Sequence, residues 1–488
     1  MAKVLVTNTY FYPLDAKQWH FKKPYPPLGT IQLAAQLDKQ GHEIQFFDNC
    51  LNDNPAAIGQ SIKDFEPDYL LIYDDGFNYL TKMCLTVMRD AAYTMAGLAH
   101  EAGVKVIISS SDSSDRYDQY LNNHIDYVIM GEGDSTAAEV IESLGRGEDT
   151  AGVSGLAYLN EEGEPVKTPK RNVLQKLDEL PLAAWHLVDI AAYRQIWLSH
   201  HGYFSINIAT TRGCPYKCNW CAKPIYGNRY NSRSPEHVLK EIELLINEYQ
   251  VEHFWMCDDI FGLKPQWAQD FNALVQEKNL QFKYMIQSRV DLLLKDDTIE
   301  ALVGSGLETI WLGAESGSQH ILDAMDKGIT VEQIHEAVPK LQQNGVNVAL
   351  FLQFGYLGET LQDIHKTIRM VLDIMPEEIG ISVSYPLPGT KFYDKVKDDL
   401  QAKANWEDSD DLDMMFENTY PPAFYKTLHR YVHNRHKLKR GFQAMKRWIT
   451  APGTINKKTI RQAMTLGYHI PMALINGTQI KRLAKAKA

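Results

Sequence analysis

The chain has 488 residues, six cysteines, a formal net charge of −11 and 44% hydrophobic residues. These values exclude a disulfide-rich secreted scaffold and a broadly disordered chain, and no apolar run reaches the ~18 residues of a membrane span. The length predicts about three domains, and the amino terminus lacks the features of a signal peptide. We therefore expect a cytoplasmic α/β protein with reduced thiols.

Residues 1–145 alternate short apolar runs with helical patterns. The runs have the composition of strands that are buried on both faces. Strands that alternate with helices predict a doubly wound parallel sheet of the flavodoxin-like type, whose ligands bind at the carboxyl ends of the strands. The predicted strands are 4–7, 43–48, 69–73, 104–109 and 127–130.

Residues 146–204 have the composition of a connector, with one short hairpin between 155–159 and 165–168. Residues 205–390 then repeat a strand and a helix six times, which predicts a partial (β/α)6 TIM-like barrel with its chemistry on the loops after the strands. The predicted barrel strands are 205–210, 253–257, 282–287, 309–313, 346–354 and 380–385.

Residues 391–488 form a mainly helical C-terminal extension, in which an acidic segment precedes a basic tail. From Lys426 to the end there are 15 Lys and Arg residues and no Asp or Glu, so the rest of the chain carries a net charge of −26. His429, His433 and His436 have near-helical spacing there, and a solvated basic helix face is favoured over a metal site. The tail is expected to dock on anionic lipid headgroups or an anionic partner, or to fold back on the acidic residues 398–417.

Three cysteines, Cys214, Cys218 and Cys221, lie within eight residues directly after the first predicted barrel strand. Thiolates on one short loop can hold a metal or an iron–sulfur cluster. A structural zinc site usually has four ligands, and no fourth Cys or His lies nearby in the sequence. Three thiolates would leave one iron of a [4Fe–4S] cluster open to a substrate or cofactor. The other cysteines are predicted to be buried packing residues: Cys50, Cys84 and Cys257.

The CxxxCxxC motif in this position resembles that of the radical S-adenosylmethionine (radical SAM) superfamily. Six further motifs match that family in order, at 229–235, 254–261, 287–291, 313–317, 355–360 and 386–390, although Tyr356 and Leu357 depart from its usual residues. The resemblance implies that the cysteine triad holds a [4Fe–4S] cluster and that SAM is cleaved to a 5′-deoxyadenosyl radical. It implies SAM contacts from Trp220, Asp258, Arg289, Glu315, Ser316 and Gly355.

The resemblance extends upstream to cobalamin-binding domains fused to radical SAM barrels, through segments 25–29, 33–34, 41–43 and 124–134. It implies that no histidine binds cobalt from below, because a DxHxxG motif is missing. Residues 109–112 are Ser-Ser-Ser-Asp where many relatives carry Gly-Gly-x-His, so a domain that only shapes the substrate channel is the alternative. The implied cobalamin contacts are Ser110, Ser111, Asp112, Gly131, Glu132 and Gly133.

The leading hypothesis is a cobalamin-dependent radical SAM methyltransferase that acts on an unactivated carbon. Oxidative cyclisation or rearrangement without methyl transfer is the alternative within enzymes, and a non-catalytic iron–sulfur or zinc-binding module is the alternative outside them. The expected partners are a small-molecule or lipid-like substrate and an electron donor such as flavodoxin or ferredoxin. No motif predicts a specific nucleic acid, and the basic tail predicts a peripheral membrane contact.

Overall fold

The computed structural model describes residues 1–77, 85–223, 225–400, 412, 414–451, 453 and 455–485. Two large sheets organise these residues, and the predicted mixed α/β class with parallel strands is confirmed. The α-helices are α1 Ala16–Phe21, α2 Leu28–Lys39, α3 Ile58–Phe65, α4 Thr86–Glu101, α5 Ser111–Asp115, α6 Tyr117–Leu121, α7 Asp134–Gly145, α8 Ile190–His201, α9 Pro235–Tyr249, α10 Pro265–Glu277, α11 Val290–Leu293, α12 Thr298–Gly304, α13 Gln319–Ala324, α14 Val331–Gln343, α15 Leu361–Ile374, α16 Lys391–Val396, α17 Pro422–Thr450, α18 Lys457–Met464 and α19 Leu466–Leu483.

The first sheet has seven strands: β1 Lys3–Thr7, β2 Glu43–Phe46, β3 Tyr69–Tyr73, β4 Lys105–Ser109, β5 Tyr127–Ile129, β6 Leu156–Leu159 and β7 Pro165–Lys167. They lie in the order β2-β1-β3-β4-β5-β6-β7, and the first five are parallel. The hairpin predicted within residues 146–204 forms, and it adds β6 and β7 to this sheet in antiparallel fashion. The carboxyl ends of β1 and β3 therefore lie side by side.

The second sheet has six parallel strands: β8 Ser205–Ile208, β11 His253–Met256, β12 Lys283–Ser288, β13 Leu307–Glu315, β14 Asn347–Phe354 and β15 Glu378–Val383. Their spatial order is β15-β14-β13-β12-β11-β8, so each predicted strand pairs with its neighbours along the chain. A two-residue ribbon, β9 Thr211–Arg212 and β10 Asn231–Ser232, brackets the cysteine loop.

The first part of α17 packs on the second sheet instead of standing in solvent. Phe424, Tyr425 and Leu428 of α17 join the hydrophobic core of that sheet. His436 is 4% exposed, and one of its ring nitrogens lies 2.8 Å from the carbonyl oxygen of Pro376. Burial lowers the pKa of His436 to about 4. The predicted solvated face is therefore wrong for His436, because α17 packs this residue against the second sheet, whereas His429 and His433 are half-buried.

The second half of the extension is tied to the body by its cations. Arg440 donates from Nη2 to both carboxylate oxygens of Glu377, at 2.8 and 2.9 Å, and Lys458 lies 2.7 Å from the same carboxylate. Most of the acidic stretch 398–417 proposed as a partner lies outside the described residues. No helix among the described residues is long and apolar enough to cross a membrane.

Candidate active site

A chamber of about 990 Å³ runs through the second sheet and reaches the carboxyl ends of the first. Side chains point alternately to the two faces of a strand, and this period brings Trp311, Gly313 and Glu315 of β13 to the chamber wall. The first sheet contributes Asn8 and Asp75 from the loops after β1 and β3. One cavity thus connects the loops that follow strands of both sheets, where ligands of parallel α/β folds bind.

The cysteine loop lies at this chamber, and Cys214, Cys218 and Cys221 all line it as half-buried side chains. Gly213 precedes the first of them with a φ of +80°, and a Cβ there would lie 2.5 Å from the carbonyl oxygen of Arg229. The turn therefore requires glycine. Burial raises the pKa of the Cys214 thiol. Such thiols deprotonate when they bind metal.

Among the described residues, no three His, Cys, Asp or Glu side chains are close enough together to hold a single metal ion. In a [4Fe–4S] cluster, each cysteine binds a different iron atom. The arrangement of thiols that a cluster needs is therefore different from the arrangement that holds a single metal ion. The donor set of the cysteine triad, three thiols on one loop facing one cavity, fits a cluster with an open iron.

The middle of the cysteine loop is held through Asn219 by the end of α13 and the loop after β14. Its amide donates to the Ala324 carbonyl at 2.7 Å, and its backbone N–H donates to the Met325 carbonyl at 3.0 Å. Tyr356, one of the residues that depart from the family motif, donates from its hydroxyl to Asn219 Oδ1 at 2.7 Å. The departure therefore has a structural role, because it holds the turn between the second and third cysteines.

Arg212, two residues before Cys214, joins the cysteine loop to the first sheet. Its Nη1 lies 2.5 Å from Glu132 and 2.8 Å from Asp134, and its Nη2 donates to Gln32 at 2.9 Å. The arginine and both acids are at most 5% exposed. Burial raises the pKa of Glu132, and Arg212 opposes that shift. This buried ion-pair cluster fixes the start of the loop relative to the first sheet.

Two of the predicted SAM contacts form a charged cluster on the chamber wall. Glu315 lies at the end of β13, beside a register shift, with a left-handed φ of +56°, which is unusual outside glycine. Its carboxylate pairs with Lys327 Nζ at 2.7 Å. Arg289 pairs with Asp291 at 2.9 Å and donates to the carbonyl of Lys327 at 2.7 Å, and its guanidinium lies 3.7 Å from the centre of the Tyr216 ring. Strained residues of this kind concentrate at functional sites.

Trp220, a third predicted SAM contact, also lines the chamber, and its buried indole Nε1 has no hydrogen-bond partner among the described residues. A buried donor without a partner costs free energy unless a ligand satisfies it. Trp220 therefore supplies a free donor at the cysteine loop.

The other three predicted SAM contacts are not among the chamber-lining residues. Asp258 accepts hydrogen bonds from the N–H groups of Thr210 and Thr211 at 2.8 and 2.6 Å, and burial raises its pKa to about 6. Ser316 lies 3.1 Å from the Thr367 hydroxyl. The Gly355 N–H donates to Glu359 at 2.6 Å. Their polar groups are used within the protein, and none of the three residues lines the chamber.

The predicted cobalamin contacts lie near the ends of β4 and β5, and most are engaged internally. Ser110 caps α5: its backbone N–H donates to the Ser113 hydroxyl at 2.9 Å, and its hydroxyl accepts from the Ser113 N–H at 2.8 Å. Asp112 lies 2.7 Å from both Arg89 and the Tyr120 hydroxyl. Glu132 is held by Arg212. None of the six is among the chamber-lining residues: Ser110, Ser111, Asp112, Gly131, Glu132 and Gly133.

Several chamber residues were not singled out from the sequence. Within the described part of the chain, buried polar atoms without a hydrogen-bond partner include Asn207 Oδ1, Trp255 Nε1 and Gln353 Oε1, and all three side chains line the chamber. Trp311 stacks on Phe351 with ring centres 4.6 Å apart. Their inward orientation follows from strand register, which single-sequence patterns leave open by one residue. Cys50 and Cys257 are buried as predicted, and Cys84 lies outside the described residues.

The fold and the site together define an α/β protein whose parallel second sheet presents three cysteines and a charged Glu315–Lys327–Arg289 cluster to one chamber. Residues 208–371 match the family model of the radical SAM superfamily. The matched residues include the three cysteines and the strands β11 to β14.

The chain is similar to curated proteins over most of its length. It is 27% identical to an uncharacterized methyltransferase, PH0819, from Pyrococcus horikoshii, over 78% of this chain and 81% of that protein. It is 25% identical to the hopanoid C-3 methylase of Methylococcus capsulatus, over 75% of this chain and 67% of that protein.

A solved structure has the same fold. The radical SAM methyltransferase TsrM from Kitasatospora setae matches with a TM-score of 0.68 at 17% identity, over 82% of this chain and 78% of that one.

Proposed function

We propose that the protein is a cobalamin-dependent radical SAM methyltransferase that acts on an unactivated carbon. The single observation that carries this proposal is the chamber itself. It brings Cys214, Cys218 and Cys221, the Glu315–Lys327 pair and the strand ends of the first sheet to one cavity. The similarity to proteins named as methyltransferases and as a methylase supports methyl transfer as the chemistry.

The cysteine triad would hold the [4Fe–4S] cluster, which supplies one electron to SAM when it is bound. The chain's own part is to fix three thiols on a turn that Gly213 permits and Asn219 anchors. Electrons would come from a small redox protein such as flavodoxin or ferredoxin. Domain boundaries follow from this assignment, with residues 205–390 as an open radical SAM barrel and 391–488 as its extension.

SAM would lie between the cysteine loop and the end of β13. Trp220 offers an indole N–H, Glu315 a carboxylate paired with Lys327, and Arg289 a guanidinium paired with Asp291, and all three side chains line the chamber. A carboxylate beside a lysine and an arginine suits a ligand that carries an ammonium and a carboxylate group. Asp258, Ser316 and Gly355 would support this site by holding the loops in place.

Cobalamin would lie at the carboxyl edge of the first sheet, in a flavodoxin-like domain formed by residues 1–145. Asn8, Tyr10 and Phe77 bring that edge to the chamber. The solved TsrM structure with cobalamin and a [4Fe–4S] cluster bound supports two cofactors in one such fold. Ser110, Asp112 and Glu132 would shape the edge through their internal hydrogen bonds. No His is among the chamber-lining residues of the first sheet.

The substrate would occupy the inner part of the chamber, where the wall is aromatic with isolated polar atoms. The Trp311–Phe351 stack offers a flat apolar surface, and Asn207 and Gln353 offer unpartnered carbonyl oxygens. This lining suits a largely apolar molecule with a few hydrogen-bond donors. The match to a protein that is named a hopanoid methylase supports the same class of substrate.

The experiment that tests methyl transfer uses SAM with a deuterated methyl group. The protein is reconstituted anaerobically with iron, sulfide and cobalamin, and is then supplied with a reductant and a set of polycyclic apolar compounds. S-adenosylhomocysteine and a deuterated product support the proposal. A changed product without the label, formed alongside 5′-deoxyadenosine, would establish the alternative, oxidative cyclisation or rearrangement.

A further inference from the structure

The C-terminal helices carry most of the large apolar side chains that the protein exposes. Thirteen such residues occur among the described residues, and ten of them lie between positions 442 and 475. Exposed apolar clusters of this kind mark contacts with other molecules. The ten are Phe442, Met445, Ile449, Ile455, Ile460, Met464, Tyr468, Ile470, Leu474 and Ile475.

These side chains follow helical spacing. Phe442, Met445 and Ile449 are three and seven residues apart on α17, beyond the point where Arg440 binds the body. On α18, Ile460 and Met464 are four residues apart. Residues three, four or seven apart lie on the same side of a helix. Each helix therefore presents an apolar side to solvent.

Positive charge surrounds these apolar side chains. Residues 426–488 contain 15 of the 50 Lys and Arg residues of the chain and no Asp or Glu. α19 has no charged residue from Leu466 to Gln479, and its basic residues follow at its end. The exposed cations of the region include Lys446, Arg447, Lys457, Arg461, Lys481, Arg482 and Lys485.

We propose that residues 442–485 are a membrane-docking surface, which places α17, α18 and α19 at the face of a bilayer that contains anionic lipids. Interfacial helices bury their apolar side at the boundary of headgroups and acyl chains, while their cations contact the anionic headgroups. The surface lies on the bilayer and does not cross it, because no described helix can span a membrane.

A bilayer fits this surface better than a second copy of the chain does. Outside positions 442–475, the described residues expose only three large apolar side chains, Met1, Phe21 and Leu198. The body of another copy therefore offers little apolar surface for the ten to cover. Contact between two tails would bring like charges together, which is unfavourable. A nucleic acid would satisfy the cations and leave the apolar side chains in water.

The docking surface is joined to the proposed substrate chamber. Lys458, at the second position of α18, lines the chamber, and so does its partner Glu377. α18 thus begins at the wall of the chamber and continues into the exposed apolar region.

The test is co-sedimentation of the full-length, cofactor-reconstituted protein with phosphatidylcholine vesicles, prepared with and without phosphatidylglycerol. The triple variant Ile449→Ser, Met464→Ser and Leu474→Ser removes side chains that are 84%, 77% and 70% exposed. Leu198→Ser, on an exposed apolar residue of α8, is the matched control. Thermal midpoints equal to wild type establish that the variants fold.

The wild type and Leu198→Ser are expected to bind anionic vesicles, with binding that falls as salt rises. The triple variant should bind at least about tenfold less, because it removes three apolar side chains from the proposed contact with the bilayer. Equal binding by the triple variant and the wild type would overturn the proposal, as would no wild-type binding. Lipid-free sedimentation that shows a dimer, lost in the triple variant, would assign the surface to a second copy. Binding of polyuridylate that the triple variant retains would assign it to nucleic acid.

Discussion

Arg212 connects the cysteine loop to the first sheet, and its replacement by methionine tests whether this connection holds the site together. Methionine keeps much of the side-chain volume and removes the charge. Glu132 and Asp134, at 5% and 2% exposure, would then be buried carboxylates without their cation. Removal of one partner from a buried ion pair costs ~3–5 kcal/mol. We expect Arg212→Met to lose stability by about that amount.

Guanidinium unfolding followed by circular dichroism measures this loss in the wild type and in two comparison variants. Arg146→Met breaks ion pairs with Glu142 and Glu148 whose side chains are more than half exposed, so its expected cost is at most ~1 kcal/mol. Adding Glu132→Gln and Asp134→Asn to Arg212→Met removes the buried charges and should recover at least about half of the lost stability.

The penalty of Arg212→Met should also depend on pH. Buried carboxylates without a cation take up protons at higher pH than exposed ones, so the variant should be closest to wild type near pH 5 and furthest from it near pH 8. The variant should also bind less iron per chain on reconstitution, because the cysteine loop begins two residues later. If Arg212→Met costs no more stability than Arg146→Met, the ion-pair cluster does not hold the loop.

Three further predictions follow from single contacts. Cys218→Ala should lose the [4Fe–4S] cluster, measured as iron and sulfide per chain and as visible absorbance, whereas Cys50→Ala should retain it; equal loss in both would contradict the assignment. Glu315→Gln, which leaves Lys327 without its ion pair at 2.7 Å, should weaken SAM binding by at least about tenfold in equilibrium dialysis, and unchanged affinity would remove Glu315 from the SAM site. Burial raises the pKa of Glu359 from its ordinary value of 4.5 to about 8. The ionisation of this carboxyl therefore opposes folding increasingly as the pH rises between these two values. The stability of Glu359→Gln should match that of the wild type at pH 5 and exceed it by a few kcal/mol above pH 8, since one pKa unit is worth ~1.4 kcal/mol.

The order of the elements could be predicted from the sequence because each strand is a short apolar run between helical patterns. All six strands predicted within residues 205–390 form, and each pairs with its neighbours along the chain. The cysteine loop could also be predicted, because three thiol ligands on one short loop are typical of a site that holds a metal or an iron–sulfur cluster. Such local sequence patterns predict the structure because they depend little on contacts between residues that are far apart in the chain.

Long-range contacts could not be predicted in the same way. The sequence does not show that Arg212 meets Asp134, 78 positions away, or that Tyr356 holds Asn219, 137 positions away. The burial of His436 depends on α17 packing against the second sheet, which its basic composition conceals. The motif that contains Asp258 could be recognised in the sequence. The hydrogen bonds that its carboxylate accepts from Thr210 and Thr211 could not be predicted.

The most direct test of the radical SAM assignment is the formation of 5′-deoxyadenosine. Wild-type protein and Cys218→Ala are reconstituted anaerobically with iron, sulfide and cobalamin, and are then mixed with SAM and a strong reductant. The wild type is expected to release 5′-deoxyadenosine in multiple turnovers or in an amount set by its cluster content, and Cys218→Ala is expected to release none. A wild type that holds an intact cluster and binds SAM, but forms no 5′-deoxyadenosine under these conditions, would contradict the account.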